Sequence, residues 1–155
     1  MHTPTIGLFG TCGGSKWRDA FIAEYENKGI QYFNPQVDDW KPELAQIEAS
    51  HLANDEIILF PVTDETYGTG SLAESGFSIL QALKNLNREF IIFIAPGLQE
   101  HLVKENPVCA KESLRARKLV NAHLAEIKLD NVHVCSNLDE MLAKSLELVN
   151  VDISR

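Results

Sequence analysis

A glutamate standing among glycines, Glu74 in the stretch GTGSLAESG (68–76), is the side chain of this sequence best suited to chemistry. A carboxylate is the nucleophile that suits attack on the anomeric carbon of a sugar, where the transition state is oxocarbenium-like. Glycines at 68 and 70 would leave room for that sugar. The same letters also have a plainer meaning. Ser71 and Glu74 have the S-x-x-E spacing of a capping box, in which the two side chains satisfy free backbone N–H groups at a helix start. Both readings put Glu74 in the first turn of a helix, where the macrodipole and backbone donors favour its ionised form.

Two further loops carry groups of the right kind. NPQVDDW (34–40) holds Asp38, Asp39 and Trp40, carboxylates to accept from sugar hydroxyls and an indole face on which a base can stack. Its alternative is a turn in which one aspartate caps the next helix and the tryptophan seals the core edge. GTCGGSK (10–16) offers Gly10, Thr11, Gly13, Gly14 and Ser15 at the start of a helix, where glycines let an anion approach the backbone closely. It is neither a Walker A sequence nor G-x-G-x-x-G, and a tight turn capped by Ser15 is the alternative. Cys12 and Arg18 stand in C-x5-R spacing, which resembles the phosphate loop of low-molecular-weight tyrosine phosphatases and arsenate reductases. There a thiolate attacks phosphorus and the arginine grips the oxygens, and a helix N-terminus and an arginine both lower a thiol pKa. Asp19 follows the arginine where that family has serine or threonine, and no Asp-Pro pair supplies its acid.

These loops need a frame that brings them together. Short apolar runs alternate with segments of helical spacing: strands at 5–10, 30–35, 56–62, 90–95 and 131–136, and helices near 17–28, 42–53, 71–87, 111–127 and 137–149. Pro42 suits the first turn of the second helix and Asn137 the cap of the last. Runs buried on both faces and joined by helices predict a doubly wound, three-layer α/β fold with a five-stranded parallel sheet. Ligands bind such sheets at the carboxyl ends of the strands, near the switch in strand order. That rule selects the loops at 10–16, 34–40 and 63–71.

The bulk properties fit a single domain over 1–155: 155 residues, 45% apolar, with no repeat or low-complexity segment. A net charge of −8 argues against a nucleic-acid polymer as partner and leaves small molecules. Three widely spaced cysteines, Cys12, Cys109 and Cys135, suit reduced thiols in a cytoplasmic protein better than a disulfide frame. The histidines at 2, 51, 101, 123 and 133 form no ligand spacing, so neither a metal nor another cofactor is expected. No stretch has the length and apolarity of a signal peptide or membrane span, so no membrane partner is expected.

Taken together, GLFGTCGGSKWRDAFI, YFNPQVDDW, ANDEIILFPVT and GTGSLAESG resemble, in order and spacing, the nucleoside 2-deoxyribosyltransferase superfamily, in particular its deoxyribosyltransferase-like branch. The likeness covers residues 5–95. It implies a flavodoxin-like or Rossmann-like sandwich in which Glu74, flanked by the hallmark glycines Gly70 and Gly76, attacks C1′ of a nucleoside or nucleotide and expels the base. The first-loop glycines and Ser15 match the part of the family under the sugar or its phosphate. Asp38 and Asp39 match its acidic signature, and Glu48 lies where relatives meet the base. Many relatives carry an acidic residue where this chain has Gly68; Asp64, Tyr67 or Ser71 would have to compensate. The family also implies a homo-oligomer. GTGSLAE further echoes the PGG-x-GT-x-x-E motif of lysine-decarboxylase-like phosphoribohydrolases, which break the same kind of bond. The rivals are a non-catalytic nucleotide-binding or sensor module and the thiol phosphatase.

Overall fold

The run Ile57–Val62, IILFPV, is buried at every position, which only a strand covered on both faces requires. It is the third strand (β3) of a five-stranded, all-parallel sheet in the computed structural model, which describes residues 3–153. Its companions are β1 (Ile6–Leu8), β2 (Tyr32–Phe33), β4 (Glu89–Ile94) and β5 (Val132–Val134). The helices are α1 (Trp17–Lys28), α2 (Leu44–Asn54), α3 (Thr69–Lys84), α4 (Glu100–Glu105), α5 (Pro107–Glu126) and α6 (Leu138–Ile153). The strand order β2-β1-β3-β4-β5 is that of a flavodoxin-like sandwich, with its switch point between β1 and β3.

The pleat sorts the core into two layers. Ile6, Leu8, Ile57, Leu59 and Ile91 meet Trp17, Phe21 and Tyr25 of α1 and Met141 and Val149 of α6. Ile58, Phe60, Val62, Phe90 and Ile92 face the other way, against Leu52, Leu72, Ile79, Val120 and Leu124 of α2, α3 and α5. Register is fixed by this alternation, since a slip of one residue would exchange the two sets. Ile57 pairs Ile6 on one side and Glu89 on the other.

Several boundaries differ from those expected. β1, β2 and β5 are shorter than their expected runs, and β4 has the expected length one position earlier. Pro42 lies in the turn before α2, where the Leu44 N–H donates to the Lys41 carbonyl at 2.9 Å, and the helix begins at Leu44. α5 starts at Pro107 rather than 111: the Asn106 side chain accepts from the Cys109 N–H at 3.1 Å, and proline holds the first helical position. The short α4 was not expected at all. Asn137 caps α6 as its sequence position implies, accepting from the Glu140 N–H at 2.8 Å.

Candidate functional site

The loop after β1 leaves the sheet at Gly10, with φ +88° and an added Cβ only 2.2 Å from the Pro61 carbonyl oxygen. No side chain fits there. The Thr11 N–H then donates to Pro61 at 2.8 Å, and the Thr11 hydroxyl accepts from the Thr63 N–H at 2.8 Å, which ties the first loop to the third. Thr11 and Ser15 are buried and support the loop from below; neither lines the cavity described next. The Ser15 hydroxyl makes only a long contact, 3.4 Å, with the Trp17 N–H, so the expected cap is weak. Gly13 and Gly14 are left-handed as well, at φ +65° and +75°, but face open space.

Arg18, 1% exposed, holds this loop from α1. Its Nε donates to the Leu8 carbonyl at 2.9 Å, and Nη1 to the Thr11 carbonyl at 2.6 Å and the Gln36 side chain at 3.3 Å. Nη2 reaches Cys12 Sγ at 3.4 Å. The guanidinium thus braces the first and second loops from within. A phosphatase arginine instead presents its fork to an oxyanion.

In the second loop the Asn34 side chain accepts from the Gln36 N–H at 3.0 Å, an Asx turn that points the chain across the top of β1. Asp38 lines the cavity. Asp39 does not: its carboxylate is 84% exposed, with Lys41 at 3.6 Å, so the expected aspartate pair is divided between site and solvent. Trp40 is held at the mouth by its indole N–H, which donates to Glu48 Oε1 of α2 at 2.9 Å.

The third loop is organised by a second buried arginine. Arg117 of α5 donates to the carbonyls of Ala95 and Thr63 at 2.9 Å and Thr66 at 2.8 Å, with Val62 at 3.3 Å. Gly68 ends that loop at φ +67°, where a Cβ would lie 2.8 Å from Val62 Cγ1 and 3.2 Å from Arg117 Nη2. Gly68 is therefore a left-handed position without room for a side chain. Tyr67 faces away from the cavity, donating its hydroxyl to the Leu102 carbonyl at 2.8 Å. Asp64 is exposed, and neither it nor Gly68, Gly70 or Ser71 lines the cavity.

The helix begins earlier than the capping-box reading requires. Gly68 is its N-cap and Thr69 its first residue, no side-chain cap bond forms, and Ser71 and Glu74 lie inside the helix. Glu74 therefore sits in the second turn, beyond the reach of the terminal N–H groups and the strongest part of the dipole. Its carboxyl is raised above the ordinary glutamate value, first by desolvation along the cavity wall and then by the negative charge of Glu48, although the residue as a whole stays exposed.

The outcome is a cavity of about 550 Å³ at the carboxyl ends of β1 and β2, on the β1 side of the switch point. It brings together Gly10, Gly13, Gly14, Asp38, Trp40, Glu48 and Glu74 of the expected residues, and adds Phe9, Cys12, Pro35, Gln36 and Val37. Phe9 and Val37 carry no sequence signal beyond apolarity; Gln36 could have been suspected from its place in the loop. Chemically the cavity offers the carboxylates of Asp38, Glu48 and Glu74, the half-exposed Trp40 indole and an open glycine backbone.

Among the described residues no group of three or more His, Cys, Asp and Glu side chains is gathered as a metal site. His2 lies outside the described residues. Cys12 and Cys109 are exposed and Cys135 is buried, all unpaired. Among the described residues no helix is long and apolar enough to cross a membrane. No protein-family model matches the sequence, and no curated protein is significantly similar to it.

Proposed function

We propose that this cavity binds a nucleoside or nucleoside monophosphate and cleaves or exchanges its N-glycosidic bond through Glu74. The observation that carries the reading is the place of Glu74: a carboxylate on a cavity at the strand ends, faced by Glu48, Asp38 and Trp40 and by glycines with open space around them. Glu74 attacks C1′; the C1′–N bond breaks, its electron pair leaves with the base, and the base takes a proton from water or an acid of the wall. The resulting glycosyl ester opens when water, or the nitrogen of a second base, attacks C1′ and the carboxylate departs. Trp40 stacks on the base, Asp38 accepts from sugar hydroxyls, and Gly13 and Gly14 lie under the 5′ end. Glu48 raises the Glu74 carboxyl and holds Trp40, and so links the nucleophile to the base.

Chromatography of released base tests this, using a panel of nucleosides and monophosphates with and without a second free base. Glu74→Ala should abolish release, and dependence on the added base separates transferase from hydrolase. Release that survives Glu74→Ala would sink the proposal. A binding or sensor module is the second reading, favoured by Gly68, whose position has no room for an acid that would orient the nucleophile. Ligand binding without turnover, unaltered by Glu74→Gln, would select it. A cytoplasmic homo-oligomer belongs to the same proposal. Its apolar surface includes Phe77 at 67%, Leu80 at 62% and Val108 at 73% exposure.

A further inference from the structure

The cavity does not end at Glu74. A second one of about 460 Å³ lies between α2 and α3 and shares Phe9, Trp40, Glu48 and Glu74 with the first. Beyond those shared residues the two have opposite character. The first is walled by glycines, Asp38 and Gln36. The second is walled by Ala45, Ala49, Leu52 and Ala53 of α2 and by Phe77 and Gln81 of α3. The walls follow from helix geometry: positions 45, 49 and 53 recur every four residues on α2, and 74, 77 and 81 at three and four on α3, so two helix faces line one slot. Glu74 and the Trp40–Glu48 hydrogen bond stand at the junction, so a group attached to the atom that Glu74 attacks can lie in either lobe.

We infer that the α2–α3 lobe is a subsite for the leaving group, and that the preferred substrate carries a bulky apolar substituent on its base. The inference rests on the glycosidic reading for the placement of the sugar. With C1′ at Glu74, the sugar and any phosphate belong among the glycines and Asp38, since hydroxyls and anions need polar partners. The base then points past Trp40 into the alanine-walled lobe. That lobe alone has the size of cavities that enclose drug-sized ligands, roughly 300–1,000 Å³. An unsubstituted base leaves most of it to water, whereas an arylalkyl group on the base covers the side chains of Leu52 and Phe77. Gln81 supplies one neutral amide, able to donate to or accept from the base edge.

The test uses the full chain and two readouts. Isothermal titration calorimetry compares purine with 6-(benzylthio)purine, and base release compares the 2′-deoxyribosides of the same pair. The substituted compounds should bind and react about ten- to a hundredfold better, the return expected for burying a ring of that area. Ala49→Phe, which fills the lobe, and Phe77→Ala, which removes a wall, should each shrink that ratio toward one; either variant suffices if the other fails to fold. Turnover of both deoxyribosides with no preference, in wild type, would overturn the subsite and leave the glycosidic reading standing. A binding preference that Ala49→Phe removes, with no turnover of either compound, would support the subsite and count against the glycosidic reading. Equal or absent binding of both bases without turnover would overturn both. A change of oligomeric mass in Ala49→Phe with the ratio intact would assign the slot to contacts between copies and overturn the subsite.

Discussion

Gly10 and Gly13 have the same sign of φ and opposite surroundings, and alanine at each should separate strain from collision. A left-handed backbone costs an L-residue about 1–2 kcal/mol, and both variants bear that term. At Gly13, φ +65°, nothing lies within 4 Å of the added Cβ, so Gly13→Ala should lose about 1–2 kcal/mol in all. At Gly10 the new Cβ would stand 2.2 Å from the Pro61 oxygen and 2.9 Å from its nitrogen, backbone atoms with no rotamer to yield. Relief requires drawing the end of β1 away from β3, against the Phe9 N–H to Leu59 bond at 2.9 Å and the Thr11 N–H to Pro61 bond at 2.8 Å. Overpacking adds about 1–3 kcal/mol, and each weakened hydrogen bond about 0.5–1.5 kcal/mol. Gly10→Ala should therefore lose about 3–8 kcal/mol, a large share of the roughly 5–15 kcal/mol that holds a domain together. Urea unfolding followed by circular dichroism and tryptophan fluorescence measures both. If the two variants unfold within about 0.5 kcal/mol of each other, the spread of ordinary surface changes, the collision argument fails.

Two other outcomes follow from the same geometry. If the ionised carboxylate of Glu74 is the attacking form, kcat/KM should rise with pH along a limb above the ordinary carboxylate range. Glu48→Gln should shift that limb down without restoring the ordinary value, because burial is the larger cause and remains. A carbon-13 titration of the Glu74 side chain reads the same shift without turnover, and a limb that stays put or moves up in Glu48→Gln would refute the coupling. Arg117→Met should destabilise by about 3–5 kcal/mol, since each buried carbonyl left without its donor costs about 1–3 kcal/mol. Its guanidinium is fully buried, and its loss removes the donor to the carbonyls of Thr63, Thr66 and Ala95, while Val62 keeps the Ala95 N–H at 2.9 Å. An unchanged denaturation midpoint would show that water or a shift of α5 satisfies them instead.

The sheet was legible because each strand falls within or beside an apolar run, and IILFPV at the centre permits no other burial. The rule that ligands meet such sheets at their carboxyl ends selected the two loops that line the cavity, whereas the third, 63–71, contributes no lining residue. The start of α3 was not legible. S-x-x-E at 71–74 has the letters of a capping box, yet the chain enters the helix at Gly68, whose left-handed φ of +67° and contact with Val62 are tertiary facts. Shifting the helix start from 71 to 69 moves Glu74 out of the first turn, and the expected effect on its carboxyl changes sign. Asp38 and Asp39 are likewise equivalent as letters, and only the turn decides which one faces the cavity.

Arg18 and Arg117 were the least legible residues: in the sequence Arg18 reads only as a grip on an oxyanion and Arg117 carries no signal, and both are buried. Their burial has a common cause. Where parallel strands end and the chain turns outward, carbonyls run out of ladder partners while still covered by the helices. Val62 keeps the Ala95 N–H and Thr11 takes the Trp17 indole N–H, and the arginines supply further donors. Arg18 supplies donors to Leu8 and Thr11 from α1, and Arg117 supplies them to Val62, Thr63, Thr66 and Ala95 from α5. Each arginine thereby fixes a loop that must stay open on its other side to admit a ligand. The rim is consequently rigid where it meets the sheet, and Gly13 and Gly14 can be left without side chains because the bracing comes from below. Under the proposed function the same placement has an electrostatic consequence. In a chain of net charge −8, it sets a guanidinium beneath the glycine loop, 3.4 Å from Cys12 Sγ, on the side of the cavity where a 5′-phosphate would lie.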